Sequence, residues 1–166
     1  MGEQGFIESQ NEMERLLREE EIGYLGLSLN GKSYVVPLNY HYGGGKIWFH
    51  CGFKGKKLYY LKGNPEVCFV VGRQAGWVRE HAGGNPCHID SDSVICYGKG
   101  RVIDDMAERE IALNAFNRRF RPDAADIAQE RVRNCCVVEI AISEMTGRQE
   151  RERKRTCWHH SFSVLI

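Results

Sequence analysis

Residues 24–40 read Tyr24-Leu25-Gly26-Leu27-Ser28-Leu29-Asn30-Gly31-Lys32-Ser33-Tyr34-Val35-Val36-Pro37-Leu38-Asn39-Tyr40. Two runs rich in β-forming residues flank an Asn-Gly pair. Asn and Gly accept the positive φ angles of a two-residue hairpin turn, so this spacing predicts an antiparallel hairpin. Gly43-Gly44-Gly45 then turns the chain into Lys46-Ile47-Trp48-Phe49-His50-Cys51, which reads as a third strand. A meander with one apolar face must cover that face or curl into a barrel.

Upstream, Ser9-Gln10-Asn11-Glu12 has the spacing of a capping box, and Met13, Leu16 and Leu17 follow at helical intervals, predicting a short helix over 10–20. Downstream, Leu58 and Leu61 before Gly63-Asn64-Pro65 predict a helix over 55–62, and Glu66 to Val71 a fourth strand. Residues 72–92 are rich in Gly and polar residues and read as a long loop with a short strand near Trp77-Val78. Ser93 to Ile103 is a fifth strand, whose Gly98 and Gly100 predict a bulge or a close backbone approach. Asp105 is placed to cap a helix with a buried stripe of Ala112, Leu113, Phe116 and Phe120. Arg121-Pro122-Asp123 ends it, a further short helix runs to Arg131, and Cys135 to Ile142 is the last strand. The expectation is a mainly β (α+β) fold of six antiparallel strands with short flanking helices. Three segments are expected: an N-terminal helix over 1–21, one domain over 22–148, and a charged tail over 149–166. No repeat occurs, and no linker divides the chain in two.

The chain has 166 residues and nearly balanced charge, with 23 Lys+Arg against 22 Asp+Glu. That balance argues against disorder and against a nucleic-acid binder driven by bulk charge. No apolar run is long enough for a membrane span, and the polar start is no export signal, so a cytoplasmic protein is expected. Seven cysteines without a C-x-x-C spacing then read as free thiols, most of them packing as small hydrophobes. Cys87 and His81 lack the paired ligands of a zinc motif, and no metal is expected.

The chemistry concentrates in Phe53-Lys54-Gly55-Lys56-Lys57-Leu58, where three lysines surround a glycine between a strand and a helix. A helix start presents free N–H groups, and lysines add point charges, so the segment suits a phosphate; a solvated basic face is the plainer alternative. There is no Gly-Lys-Ser/Thr ending of a P-loop and no Gly-x-Gly-x-x-Gly after the first strand. Asn39 and His50 are polar residues in otherwise apolar strands, either satisfied core groups or contacts to a flat heterocycle. No Ser/His/Asp set, Cys/His dyad or carboxylate pair has comparable support, so a bound cofactor would carry any chemistry.

Several ordered segments carry a family resemblance. They are Val36-Pro37-Leu38, Gly45 to His50, Gly55-Lys56-Lys57-Leu58 with Asn64-Pro65-Glu66-Val67, Ser93 to Gly100, and Ile142 to Arg148. In order and spacing, residues 22–148 resemble the flavin-binding split-barrel proteins related to pyridoxamine 5′-phosphate oxidase, and within them the nitroimidazole-resistance (Nim) branch. The resemblance implies an antiparallel split β-barrel, a homodimer, and FMN at two interfacial sites. By it, Lys54, Lys56 and Lys57 hold the phosphate. Val36, Pro37, Leu38 and Asn39 line the flavin ring, and Phe49, His50 and Cys51 lie on the strand beside the phosphate and ribityl chain. Trp77 and Ser93 complete the pocket, and His50 is the candidate proton donor or substrate contact. Phe53 stands where the oxidase pattern has an arginine, and the oxidase's C-terminal substrate-binding segment is not recognisable, which argues against oxidation of a B6 vitamer.

The implied activity is flavin-mediated reduction of a small molecule with electrons from NAD(P)H or another donor. The alternatives are a flavin- or haem-binding or electron-carrier module without a substrate of its own, and a deazaflavin in place of FMN. In the tail, Trp158 would stack on the partner's flavin or form part of an inert end; His159 or His160 would be the axial ligand in the haem case.

Overall fold

The computed structural model describes residues 9–75, 89–151 and 154–163. Trp77 and the strand expected beside it lie outside these residues, as do His81 and Cys87. Helix α1 (Gln10–Glu19) leads into strands β1 (Ile22–Leu29), β2 (Lys32–Asn39), β3 (His41–Gly43) and β4 (Lys46–Cys51). Helix α2 (Lys56–Gly63) precedes β5 (Glu66–Gln74) and β6 (Ser91–Val102). Helices α3 (Met106–Phe120) and α4 (Gln129–Arg133) then lead to β7 (Cys136–Arg151) and β8 (Lys154–Ser161). All described pairings are antiparallel, in the order β2-β1-β5-β6-β7-β4-β3, with β8 also on β7.

The hairpin forms at Asn30 and Gly31, whose φ angles of 50° and 73° are those of a type I′ turn. Leu29 pairs with Lys32 beside it, which fixes the register to Ile22 opposite Asn39. One face of each strand then turns inward. Leu25, Leu27, Ile47, Phe49, Phe69, Val71, Val94, Cys96 and Met145 form the barrel interior, closed by Met13, Leu16 and Leu17 of α1. The buried Tyr40 hydroxyl donates to the Leu17 carbonyl at 2.8 Å and ties that helix to the sheet.

The mainly β architecture is as expected, but there are eight strands rather than six. The chain breaks at Tyr40, so His41–Gly43 becomes a separate strand. β7 continues to Arg151 and pairs back with Lys154–Ser161, where Trp158 is buried. The charges of this segment concealed the strand pattern. In the fold, Glu150 takes ion pairs from Arg148 and Arg155, while Arg151 pairs with the buried Asp92.

β7 bonds β4 along residues 136–141 and β8 along 144–151, while β6 runs along its other edge. The register of β6 shifts between Tyr97 and Gly98, and a Cβ at Gly98 would overlap the Ala141 carbonyl. The predicted bulge and close approach are therefore the same feature.

Asp105 caps α3 by accepting from the Glu108 N–H at 2.8 Å. The capping box at Ser9 does not form: its side chain makes no cap bond, and Glu12 pairs with Arg15 at 2.8 Å. The expected stripe of α3 is also narrower than the sequence suggests. Ala112 and Leu113 are buried with Ile103, Val132 and Val137, but Phe116 is half-buried and Phe120 exposed. α3 and α4 thus cover one outer part of the sheet with a small second core. Among the described residues, Tyr24, Val35 and Tyr97 on the outer face of β1, β2 and β6 remain 44–61% exposed.

Candidate functional site

Alternation along β4 turns Phe49 into the barrel and leaves His50 on the outside, at the end of the strand nearest α3. The Phe49 side chain is 2% exposed, so only its backbone is available to a ligand. The His50 ring meets Phe116 edge-on at 4.7 Å between centroids, and its shelter from water holds the imidazole pKa below the ordinary value. The imidazole is therefore largely neutral near pH 7.

β2 alternates likewise. Val36 and Leu38 lean on the core cluster, whereas Pro37 and Asn39 face outward. Asn39 donates to the Glu21 carbonyl at 2.9 Å, which positions its amide. Leu38, Asn39 and His50 are brought together: with Glu21, Phe116, Asn117 and Phe120 they line a cavity of about 360 Å³. Ser93 lies on β6 opposite Gly72 and Arg148, and does not line that cavity.

Beyond His50 the chain turns over a basic segment. Gly55 has φ 140°, which L side chains rarely adopt, and it starts α2 at Lys56. Nothing lies within 4 Å of a Cβ built at Gly52 or Gly55, so the turn is open above its backbone. Among the described residues, Lys54, Lys56 and Lys57 have no ion pair with a carboxylate. Lys56 does not stand free, because its ammonium sits 4.5 Å from the Tyr34 ring centroid. His50 and Lys54 are four residues apart, so their Cα atoms lie within about 14 Å of each other. Phe53 is 51% exposed, and the Arg109 guanidinium of α3 lies 5.5 Å from its ring centroid.

Cys51 pairs across the sheet with Cys136. Burial, with Cys136 beside it, pushes the Cys51 thiol up to about 11. It is therefore a protonated thiol near neutral pH rather than a nucleophile. His159, on β8, meets Glu144 at 3.1 Å.

A second cavity of about 370 Å³ adjoins the first and shares His50, Phe116 and Asn117 with it. Leu113, Ile127, Arg131, Asn134 and Cys135 complete its lining. The sequence reading missed both the α3 wall and this cavity. Phe116 and Phe120 lie one turn apart, and the Arg121-Pro122 break leaves Phe120 at a helix end, where an aromatic need not be core.

A family model described as pyridoxamine 5′-phosphate oxidase matches residues 9–149. A candidate 5-nitroimidazole antibiotic resistance protein from Bacteroides thetaiotaomicron superposes with a TM-score of 0.75 at 30% identity, covering 85% of this chain and 84% of that one. A flavocytochrome from Azotobacter vinelandii superposes with a TM-score of 0.73 at 17% identity, over 96% and 81%. An FAD-binding protein from Mesorhizobium loti gives 0.62 at 23%, over 86% and 96%. A search of curated protein sequences finds no match. The family match spans most of the chain and takes in both the lysine turn and the His50 cavity, so the chain belongs to the pyridoxamine 5′-phosphate oxidase family.

Proposed function

We propose that this protein is a cytoplasmic homodimer that binds FMN and reduces a small molecule with electrons from a nicotinamide nucleotide. The observation that carries the reading is the lysine turn, Lys54, Lys56 and Lys57, without a carboxylate partner among the described residues, open above Gly52 and Gly55 and close along the chain to the His50 cavity. A phosphate needs such donors and charge, and a cavity of this size lies within the range of small-molecule sites. A flavocytochrome and an FAD-binding protein that share the fold support a flavin here.

Lys54, Lys57 and the N–H groups that open α2 would hold the phosphate, with Lys56 joining by leaving the Tyr34 ring. Pro37 and Asn39 would contact the ring system on the outer side of β2. FMN when bound supplies hydride transfer. His50 presents a neutral imidazole whose N–H can donate to a substrate atom and whose other nitrogen can accept a proton. Phe116 fixes the plane of that ring, and Leu38 and Phe120 exclude water from its side.

The second copy would cover the bare outer face of β1, β2, β5 and β6, where Tyr24, Val35, Val70, Ile95 and Tyr97 leave an apolar surface. Among the described residues no helix is long and apolar enough to cross a membrane.

The test is the absorbance spectrum of purified protein, the mass of the extracted cofactor, and the molar mass in solution. A flavin spectrum, the mass of FMN, a dimer, and bleaching by NADH or NADPH with reoxidation by a nitroaromatic acceptor are expected. A Soret band, a deazaflavin mass, or a colourless protein that does not take up FMN would overturn the reading.

A further inference from the structure

The cavity of about 370 Å³ behind His50 has the composition of a ligand site in its own right. Leu113, Phe116, Ile127 and Cys135 make its walls apolar, and His50, Asn117, Arg131 and Asn134 bring polar groups into it. Among the described residues none of these four polar side chains makes a hydrogen bond or ion pair. The three arginines of α3 are all engaged elsewhere. Arg109 donates to the Ile103 carbonyl at 2.9 and 3.2 Å, Arg119 to the Tyr40 carbonyl at 2.9 Å, and Arg118 pairs with Asp126. Arg131, on α4, lines the cavity and has no such partner among the described residues.

The frame around it is fixed. Asn114 accepts from the Ile127 N–H at 2.8 Å, and the Arg118–Asp126 pair holds the same connection between α3 and α4. The charge of Arg131 also reaches the cavity floor. Burial and Cys136 raise the Cys135 thiol pKa, while Arg109 and Arg131 act in the opposite direction.

A guanidinium with two amides and a neutral imidazole, set among apolar walls, matches a planar anion on a small apolar body. We propose that this cavity seats a small, largely apolar carboxylic acid, its carboxylate on Arg131 with Asn117 and Asn134 as further donors. Because the two cavities share His50, Phe116 and Asn117, a molecule seated here lies beside the region proposed for the flavin ring. Its being the substrate rests on the proposed function; its binding does not.

Calorimetry on the full chain as purified tests this, with benzoate as the probe, and benzyl alcohol and benzamidinium as the neutral and cationic counterparts. Benzoate is expected to bind most tightly. Arg131→Gln should weaken benzoate about tenfold and leave benzyl alcohol within twofold, since it removes one charge-assisted pair. Arg131→Lys should recover part of the loss. A melting temperature equal to the wild type confirms the variants are folded. No benzoate binding, benzamidinium binding more tightly, or equal benzoate affinity in Arg131→Gln would each overturn the proposal. The flavin spectrum of the same samples separates the two readings. Benzoate binding without flavin defeats only the proposed function, and flavin without benzoate binding defeats only this site.

Discussion

Replacing Lys54, Lys56 and Lys57 together by glutamine tests the phosphate turn most directly. Gln is one atom shorter than Lys, keeps an N–H donor at its end, and in the triple variant removes three positive charges. At a separation of about 4 Å in water, each unit charge pair contributes about 1 kcal/mol. Lys57 is half-buried and should exceed that value, whereas Lys56 must leave the Tyr34 ring 4.5 Å away and should fall below it. The total of about 3 kcal/mol corresponds to a loss of about a hundredfold in FMN affinity. Riboflavin has the same ring without the phosphate, so its affinity should change less than twofold. The assay is quenching of flavin fluorescence by apoprotein, for both ligands and at two salt concentrations. Added salt should weaken FMN binding to the wild type and leave the triple variant nearly indifferent. Among single variants, Lys57→Gln should cost most and Lys56→Gln least. Equal losses for FMN and riboflavin, or an FMN loss below threefold, would refute the assignment of this turn to a phosphate.

Burial holds the pKa of His50, and of His41, below that of an unfolded chain, so the unfolded chain takes up protons first as pH falls. This stability is present above about pH 6.5 and is lost as the pH falls toward the folded values; thermal melts at pH 7.5 and 5.5 should show a drop that His50→Gln reduces, and an unchanged drop would refute it. Cys51, with its thiol pushed up to about 11, should react with iodoacetamide at pH 7.5 far more slowly than a free cysteine, as followed by mass spectrometry of its peptide; reaction at the free rate would refute the burial argument. Glu139 is buried yet held below the usual carboxylate range: desolvation opposes ionisation, and Lys46 and Arg101 outweigh it. It takes bonds from Lys46, Trp48 and Arg101 at 3.0–3.1 Å, so Glu139→Gln should cost about 2 kcal/mol and lower the melting temperature by roughly 4–8 °C.

The hairpin was legible because Asn30-Gly31 carries its own geometry, and the α3 start because Asp105 can act within four residues. What failed to show depends on distant partners. The strand at Lys154–Ser161 exists because β7 offers a free edge beyond the end of β4, and its charges become ion pairs only when Asp92 and Glu150 are in place. Ser9 has the right spacing for a box, but Glu12 finds a better partner in Arg15. At the site, the resemblance to known split barrels brought out Leu38, Asn39 and His50 together, and these do share a cavity. Arg131, Asn117 and Asn134 had no signal, since an isolated Arg or Asn on a helix is ordinary. Only the folding of α3 and α4 over the outer face of the sheet makes them neighbours.

That placement of α3 and α4 explains why the cavities lie where they do. A sheet curled into a barrel still has an outside, and each patch of it must be polar, covered or paired. Here Trp48, Val137 and Cys135 are covered from the outside by α3 and α4. The cover stops at Phe116, and among the described residues Tyr24, Val35 and Tyr97 on the outer face of β1, β2 and β6 stay exposed. His50 stands at the border between the two, with Phe116 on its covered side and Asn39 toward the bare one. A ligand there has one wall from each part of the fold. On the proposed dimer a third would come from the second copy, so dissociating the protein should weaken flavin binding even though no residue of the lysine turn is touched.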